Sequence, residues 1–362
     1  MSDQRFMALA LSLGARGLGR TWPNPAVGCV IVNDARIVGR GWTQPGGRPH
    51  AETQALGQAG PLAKGATAYV TLEPCSHTGK TPPCATALIE AGIARVVVAT
   101  NDPDERVMGQ GLDMLRAAGI EVTTGVMEQD AIRANAGFLS RIVIGRPWVT
   151  LKLASSFDGR IATASGESKW ITSPQARRVV HVLRANHDAV MIGSGTAQAD
   201  DPSLTVRDIG TRHQPIRMVL SKSAFLHPDS KLVQTAHEVP VWLVHGESAA
   251  RKNLANAAHK GIKTVEVLER DDALDLASVL KGLSEAGLTR VFCEGGGQLA
   301  ASLLREGLVD ELIGFTAGLI LGADGTPSVG DLVLNHLQDA PKFYLHKSTT
   351  VGLDVLQVWR RA

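Results

Sequence analysis

The stretch EPCSHTGKTPPC, Glu73 to Cys84, carries two of the chain's four cysteines with eight residues between them, including Gly79, Lys80 and the stiff pair Pro82-Pro83. Such a pair can be a disulfide, a redox couple, two buried thiols or two ligands of a metal. The whole chain narrows the choice. Four cysteines in 362 residues are sparse, and their spacing suggests no secreted disulfide framework. The expected compartment is the cytosol, where thiols stay reduced. Composition is that of an ordinary globular protein, with 44% apolar and 20% charged residues and a net charge of +2. That balance argues against a dominant nucleic-acid face and against a polybasic membrane anchor. No apolar run approaches the roughly 20 residues that span a bilayer. FMALALSLGARG, residues 6–17, reads as an amphipathic first helix ending at Gly14 or Gly17 rather than as a leader.

Outward from the decisive stretch, the first half alternates strands and helices. AVGCVIVNDARIVGRGW predicts a hairpin turning at Asn33-Asp34. A helix follows from HAETQALGQAG, then a strand ATAYVTLE, the cysteine loop, a helix CATALIEAG stopped by Gly92, a strand ARVVVAT, a helix GLDMLRAAG and a strand IEVTTGV. EQDAIRANAGFLSRIV reads as one tail helix running into Gly145 and Pro147, where the boundary between domains 1–145 and 146–362 is placed. The second half restarts with a strand PWVTLKLA. Apolar runs DAVMIG, IRMVLS, VPVWLV, IKTVEVL, TRVFCEGG, ELIGFT and DVLQVW follow. Two α/β domains are expected, each with its own sheet and core.

One other segment of the first half has matching ligand chemistry, PHAETQAL, with His50 and Glu52. His-x-Glu at a helix start, then Pro-Cys after a strand and Cys at the next helix start, resembles the zinc nucleoside-deaminase signature. One imidazole and two thiolates leave a fourth tetrahedral position for water. Zinc brings the pKa of that water towards roughly 7. Glu52, not a ligand, can carry its proton to a departing amine. Cys84 would open a helix whose dipole favours a thiolate. Against this stand the bland readings: His-x-Glu is common, and cytosolic cysteines are often small core hydrophobes. The conjunction favours zinc. Cys29 and Cys293 are read as core. The usual cysteine spacing in this signature is two residues. Here the longer loop Ser76–Pro83 brings His77, Thr78, Lys80 and Thr81, groups suited to an anion, unless it is a plain solvated loop.

NPAVGCVIV, HAE, EPCSHTGKTPPC, DPDERVMGQG, KLASSFDGRIA, KWITS, GSGTAQADDPSLTVR and CEGGGQLAASLL follow in order along nearly the whole chain. Together they resemble the bifunctional deaminase–reductase family of riboflavin biosynthesis. The resemblance implies a cytidine-deaminase-like three-layer α/β/α domain followed by a dihydrofolate-reductase-like α/β domain. It implies His50, Cys75 and Cys84 as zinc ligands, Glu52 as proton shuttle, and Asn24, His77 and Lys80 on the ring or phosphoribosyl group of the substrate. Asp104 stands where the family often has Asn, so it is left out of the site.

The second half says less by itself. Gly295, Gly296 and Gly297 in VFCEGGGQLAASLL lie between a strand and a helix and suit either a phosphate or a tight turn. They do not form a G-x-G-x-x-G fingerprint. TAQADDPSLTVR is a polar loop or a site. Lys152, inside an otherwise apolar strand, needs a partner or a function and is the better lead. The resemblance implies NADPH along Ala154, Trp170, Thr172, Thr196, Asp200, Ser221 and the turn Gly296, Gly297, Gln298, Leu299, Ala300, Ala301 and Ser302. It implies a substrate facing Lys152, Ser168, Arg184, Leu204, Arg207 and Glu294, with Arg184 and Arg207 clamping its 5′-phosphate. His181 and His187 are expected to be structural or exposed.

The implied chemistry is zinc-dependent deamination of 2,5-diamino-6-(5-phosphoribosylamino)pyrimidin-4-one, then NADPH reduction of the ribosyl group of 5-amino-6-(5-phosphoribosylamino)uracil to ribityl. A homodimer is implied as well, with phosphoribosyl pyrimidines as partners and neither nucleic acid nor membrane. Two rivals stand beside it. A nucleic-acid base deaminase would want a basic channel and stacking aromatics, which 4% aromatic residues do not favour. A structural zinc would want a fourth protein ligand, for which His77 is the candidate.

Overall fold

The computed structural model describes residues 3–77, 82–104 and 108–362. The chain divides into two compact units, Met1–Arg146 and Pro147–Ala362.

The first unit contains α1 (Asp3–Gly14), β1 (Gly28–Asn33), β2 (Arg36–Trp42), α2 (Ala51–Ala59), β3 (Thr67–Val70), α3 (Cys84–Glu90), β4 (Arg95–Val98), α4 (Gln110–Ala117), β5 (Glu121–Thr124), α5 (Glu128–Ala134) and α6 (Ala136–Val143). The strands form one sheet in the order β2-β1-β3-β4-β5. β1 runs antiparallel to both β2 and β3, and β3, β4 and β5 are parallel. The predicted hairpin turns on Asp34 and Ala35, both with left-handed backbone (φ 46 and 62). Strand period two sorts the core onto two faces. Cys29, Ile31, Ala68, Val70, Val96 and Val98 pack beneath α2, α3 and α4. Val30, Val32, Tyr69 and Val97 pack beneath α1 and α5. The glycines of β2 bring α2 into direct contact with the strand. A Cβ at Gly41 would stand 2.0 Å from the Ala51 carbonyl oxygen, and one at Gly39 would stand 2.2 Å from that of Ala55. This fixes the helix that carries Glu52.

The expected tail helix is two helices, broken at Asn135. That residue is buried with φ −100 and ψ 15, and its Oδ1 accepts the backbone N–H of Ala26 (3.1 Å). The long-range bond claims an asparagine that is a weak helix former anyway, and the helix yields there.

The second unit runs β6 (Trp148–Ser156), β7 (Arg160–Ala162), α7 (Pro174–Ala185), β8 (Ala189–Gly193), α8 (Ser194–Asp200), β9 (Ile216–Leu220), α9 (Lys231–Gln234), β10 (Val241–Gly246), α10 (Arg251–His259), β11 (Lys263–Val267), β12 (Glu269–Arg270), β13 (Ala273–Leu274), α11 (Leu276–Glu285), β14 (Arg290–Gly295), α12 (Gly297–Arg305), β15 (Glu311–Ala317), β16 (Thr326–Pro327), β17 (Phe343–Val351) and β18 (Asp354–Arg361). Its main sheet has the order β11-β10-β9-β8-β14-β6-β15-β18-β17. The strands from β11 to β15 are parallel neighbours, while β18 and β17 close one edge antiparallel. Every apolar run expected to be a strand is one. β17 is an addition: nearly all its residues are exposed, so it carries no buried face to show in its pattern.

Candidate active sites

The first site is assembled at the ends of β3, α2 and α3. His50 immediately precedes α2 in extended conformation, and Glu52 follows in the first turn, buried. Cys75 lies in the loop after β3 and Cys84 opens α3. The excursion between the cysteines closes on itself: Ala85 N–H donates to the Cys75 carbonyl (3.2 Å), and Cys84 N–H donates to Cys75 Sγ (3.3 Å). His50 Nδ1 stands 3.2 Å from Cys84 Sγ and 3.7 Å from Cys75 Sγ. The three donor atoms all lie within 4.8 Å of one another. All four cysteines are free thiols, which removes the disulfide reading, and Cys29 and Cys293 are buried in the core.

The donor set fits zinc. Ligand lengths of about 2.1 Å to nitrogen and 2.3 Å to sulfur at a tetrahedral angle imply N···S separations of roughly 3.6 Å. The two separations here bracket that value. Hydrogen bonds from the Cys84 thiol, the His50 ring and the Cys84 backbone N–H favour the Cys75 thiolate, and its pKa falls to about 4 despite burial. Burial pushes the Glu52 carboxyl up, with the His50 charge opposing. Among the described residues the group has three donors, and His77 is not one of them. The fourth-ligand rival therefore has no support from His77.

Glu73, two residues before Cys75, has a role that the motif alone does not assign. Its carboxylate is buried and accepts the backbone N–H groups of Gly109 and Gly111 (both 3.1 Å), which anchors Pro74 and Cys75 to the loop before α4. The signal was available: a carboxylate at the inner end of a buried strand must find donors. His77 is exposed and faces Asp102, whose carboxyl is pushed up to about 6 by burial. The Asp104 backbone N–H donates to Asp102 Oδ1 (2.9 Å). Lys80 lies outside the described residues.

Asn24 packs on the 44–49 loop that delivers His50. Gly47 there has φ +83, and a Cβ on it would stand 1.8 Å from Asn24 Nδ2. Gly47→Ala is expected to displace Asn24 and, if Asn24 meets the substrate as the resemblance implies, to raise KM about tenfold, the scale of one lost hydrogen bond to a charged group. Zinc content should stay unchanged by elemental analysis. An unaltered KM would remove Asn24 from the substrate site.

The second unit contains a cleft of about 1300 Å³. That exceeds the 300–1,000 Å³ usual for a single small ligand and suits a dinucleotide with a second molecule beside it. Its wall includes Lys152, Ala154, Ser168, Trp170, Thr172, Arg184, Thr196, Asp200, Leu204, Arg207, Glu294, Gly296, Gly297, Gln298, Leu299 and Ser302. Three expected cofactor contacts do not present side chains there. Ala300 and Ala301 face the core, because α12 turns residues 298, 299 and 302 to the cleft and 300, 301, 303 and 304 inward. Ser221 is buried, its hydroxyl exchanging hydrogen bonds with the Phe225 backbone (3.2 Å each way). His181 lines the cleft, and His187 is structural, buried between the Leu183 carbonyl and Thr150.

Charges in the cleft are paired with care. Arg184 and Glu294, each about a tenth exposed (12% and 10%), form a two-point ion pair, with Nη2 to Oε2 at 3.0 Å. Arg184 Nη1 also donates to the Thr205 carbonyl (2.8 Å). Its fork is thus largely spent within the protein, whereas the Arg207 side chain makes one bond among the described residues, Nη1 to Thr205 Oγ1 (3.2 Å). Burial opposes the Glu294 charge, but Arg184 and Lys152 together hold its carboxyl below the usual range. Burial lowers the pKa of Lys152, opposed by Glu294 and Asp200. Trp170 is exposed at the rim with the Arg177 guanidinium 4.5 Å from its ring centre. Thr196 Oγ1 donates to the Gly295 carbonyl (3.3 Å), joining α8 to the glycine turn.

Residues 147–357 match the family described as the RibD C-terminal domain, and residues 1–100 match the cytidine and deoxycytidylate deaminase zinc-binding region. The whole chain is 46% identical to the riboflavin biosynthesis protein RibD of Escherichia coli K12 over 98% of each protein. The chain belongs to the RibD family. It is also 42% identical to the RibD protein of Aquifex aeolicus, covering 99% of this chain and 98% of that one. The solved RibD of Acinetobacter baumannii superposes with a TM-score of 0.89 at 39% identity over 99% of both chains. A Thermotoga maritima structure described as a diaminohydroxyphosphoribosylaminopyrimidine deaminase/5-amino-6-(5-phosphoribosylamino)uracil reductase gives 0.86 at 33% over 99% of both. As a RibD protein the chain is a bifunctional enzyme of riboflavin biosynthesis, a zinc-dependent deaminase of cytidine-deaminase-like fold joined to an NADPH-dependent reductase of dihydrofolate-reductase-like fold. No helix among the described residues is long and apolar enough to cross a membrane.

Proposed function

We propose that His50, Cys75 and Cys84 hold the zinc of the deaminase unit, and that Glu52 is its acid–base residue. When bound, zinc supplies an acidified water as nucleophile for C2 of the 2,5-diaminopyrimidinone. Glu52 accepts a proton on its carboxylate and returns it to the leaving amine. Its burial favours the protonated state in which it can donate. Asn24, His77 and Lys80 orient the ring and phosphoribosyl group. The observation that carries this reading is the convergence of one imidazole and two sulfurs beside a buried, unligated carboxyl.

In the reductase unit we place NADPH along Ala154, Trp170, Thr172, Thr196, Asp200 and the Gly296–Ser302 turn, with Ser221, Ala300 and Ala301 contributing through backbone atoms. The cofactor supplies a hydride to C1′ of the ribosyl group. Lys152 stabilises the open-chain sugar from the floor of the cleft, where Glu294 and Asp200 face it. Ser168, Leu204 and Arg207 hold the substrate, and Arg184 acts with Glu294 as one buried unit. A phosphate at the far end of each substrate gives a charged handle remote from the reacting atom, which supplies orientation. The working form is a homodimer in the cytosol.

The test is a mass-resolved assay of the diaminopyrimidine phosphate with and without NADPH. Deamination should proceed in both. A gain of two hydrogens should require the cofactor. Deamination that needs NADPH would overturn the division of labour.

A further inference from the structure

His181 lies on α7 and lines the reductase cleft. Its Nδ1 accepts the backbone N–H of Arg207 (3.3 Å). One turn along the same helix, Arg184 donates to the Thr205 carbonyl (2.8 Å), and Arg207 Nη1 donates to Thr205 Oγ1 (3.2 Å). Residues three apart share a helix face. Residues 205–207 are therefore pinned to α7 at two points, and one pin is an imidazole nitrogen acting as acceptor. An acceptor nitrogen carries no proton, so the pin exists only while the ring is neutral with its hydrogen on Nε2.

We propose that neutral His181 is a positioning residue of the reductase: it sets the backbone at Arg207, and with it the phosphate end of the substrate site, and protonation removes the pin at Arg207 while the Arg184–Thr205 bond stays. The proposal rests on the reading of Arg207 given above. The charged groups facing His181 are Arg184 on its own helix, Arg207 on the pinned segment and Glu294 on β14. Burial, then the two guanidinium groups, lower its pKa below the ordinary 6.5, with the Thr205 backbone and then Glu294 opposing. The sign follows: a histidine kept neutral by the fold holds its contact at and above neutral pH and loses it as pH falls below 6.5 through the lowered value.

Because the second pKa of a phosphate ester also lies near 6, the parent protein alone cannot assign an acid-side loss. The experiment is calorimetric binding of ribose 5-phosphate to the full chain, together with the reductase KM and kcat, from about pH 7.5 down to about 5.5. His181→Ala should weaken ribose 5-phosphate binding and raise KM several-fold at the upper pH with kcat little changed. His181→Gln supplies an amide oxygen for the Arg207 N–H and does not titrate. It should bind like the parent at the upper pH and show a shallower acid-side loss, the remainder being the phosphate's own. Melting temperatures close to that of the parent show that the effect is local. An Ala variant that binds like the parent, or a Gln variant with the parent's pH dependence, overturns the proposal. Arg207→Ala separates the two readings. If it leaves binding intact, the phosphate site itself is misplaced and both fall; if it weakens binding while His181→Ala does not, the pin alone falls.

Discussion

Glu52→Gln is expected to slow deamination by 10²–10⁴-fold, roughly the range a positioned acid–base group supplies, with zinc content unchanged. The reductase should still reduce supplied 5-amino-6-(5-phosphoribosylamino)uracil at the parent rate. The amide keeps the shape of the carboxyl, so α2 and its seat on Gly39 and Gly41 are preserved. It removes only the ability to accept a proton and hand it on. His50, Cys75 and Cys84 make their mutual contacts without Glu52, so metal retention separates lost chemistry from a lost site. Full deaminase activity in a zinc-loaded Gln variant would mean that the metal is structural.

Arg184→Met is expected to cost about 3–5 kcal/mol, because it strands the Glu294 carboxylate in a buried position. For a unit of this size that corresponds to a fall in melting temperature of roughly 6–20 °C. Both side chains are too shielded for solvent to screen the pair. Reduction should fail along with it, since Glu294 also faces Lys152 and His181. Adding Glu294→Gln to Arg184→Met should restore much of the stability, as the buried charge is gone, without restoring reduction. Scanning calorimetry and NADPH consumption read the two effects separately. A double variant no more stable than Arg184→Met would show that the pair is not the source of the loss.

What could be read ahead of the structure followed from how tightly chemistry constrains spacing. Zinc ligands must come from a few rigid elements, so the proposed ligands His50, Cys75 and Cys84 stand out through helix starts and a strand end. Lys152 stood out because an ammonium in an apolar strand is costly without purpose. The glycine turn was visible, but the phase of α12 was not: three glycines do not determine whether Ala300 or Leu299 meets the cleft. Ser221 sits at a strand end that suits a ligand, yet the Phe225 backbone claims its hydroxyl. β17 lacked any buried face, so neither periodicity nor hydropathy marked it. The break at Asn135 and the cleft position of His181 depend on Ala26 and Arg207, partners 109 and 26 residues away. No local pattern encodes such pairings.

The Asn135–Ala26 bond sets a limit on dissecting the enzyme. A fragment ending after β5 would carry every proposed metal donor and the proton carrier, and by inspection would look sufficient. It would lack the one side chain that answers the Ala26 amide, two residues beyond Asn24. The first catalytic module is therefore longer than the span of its ligands, and a working excision has to retain the paired helices that close it.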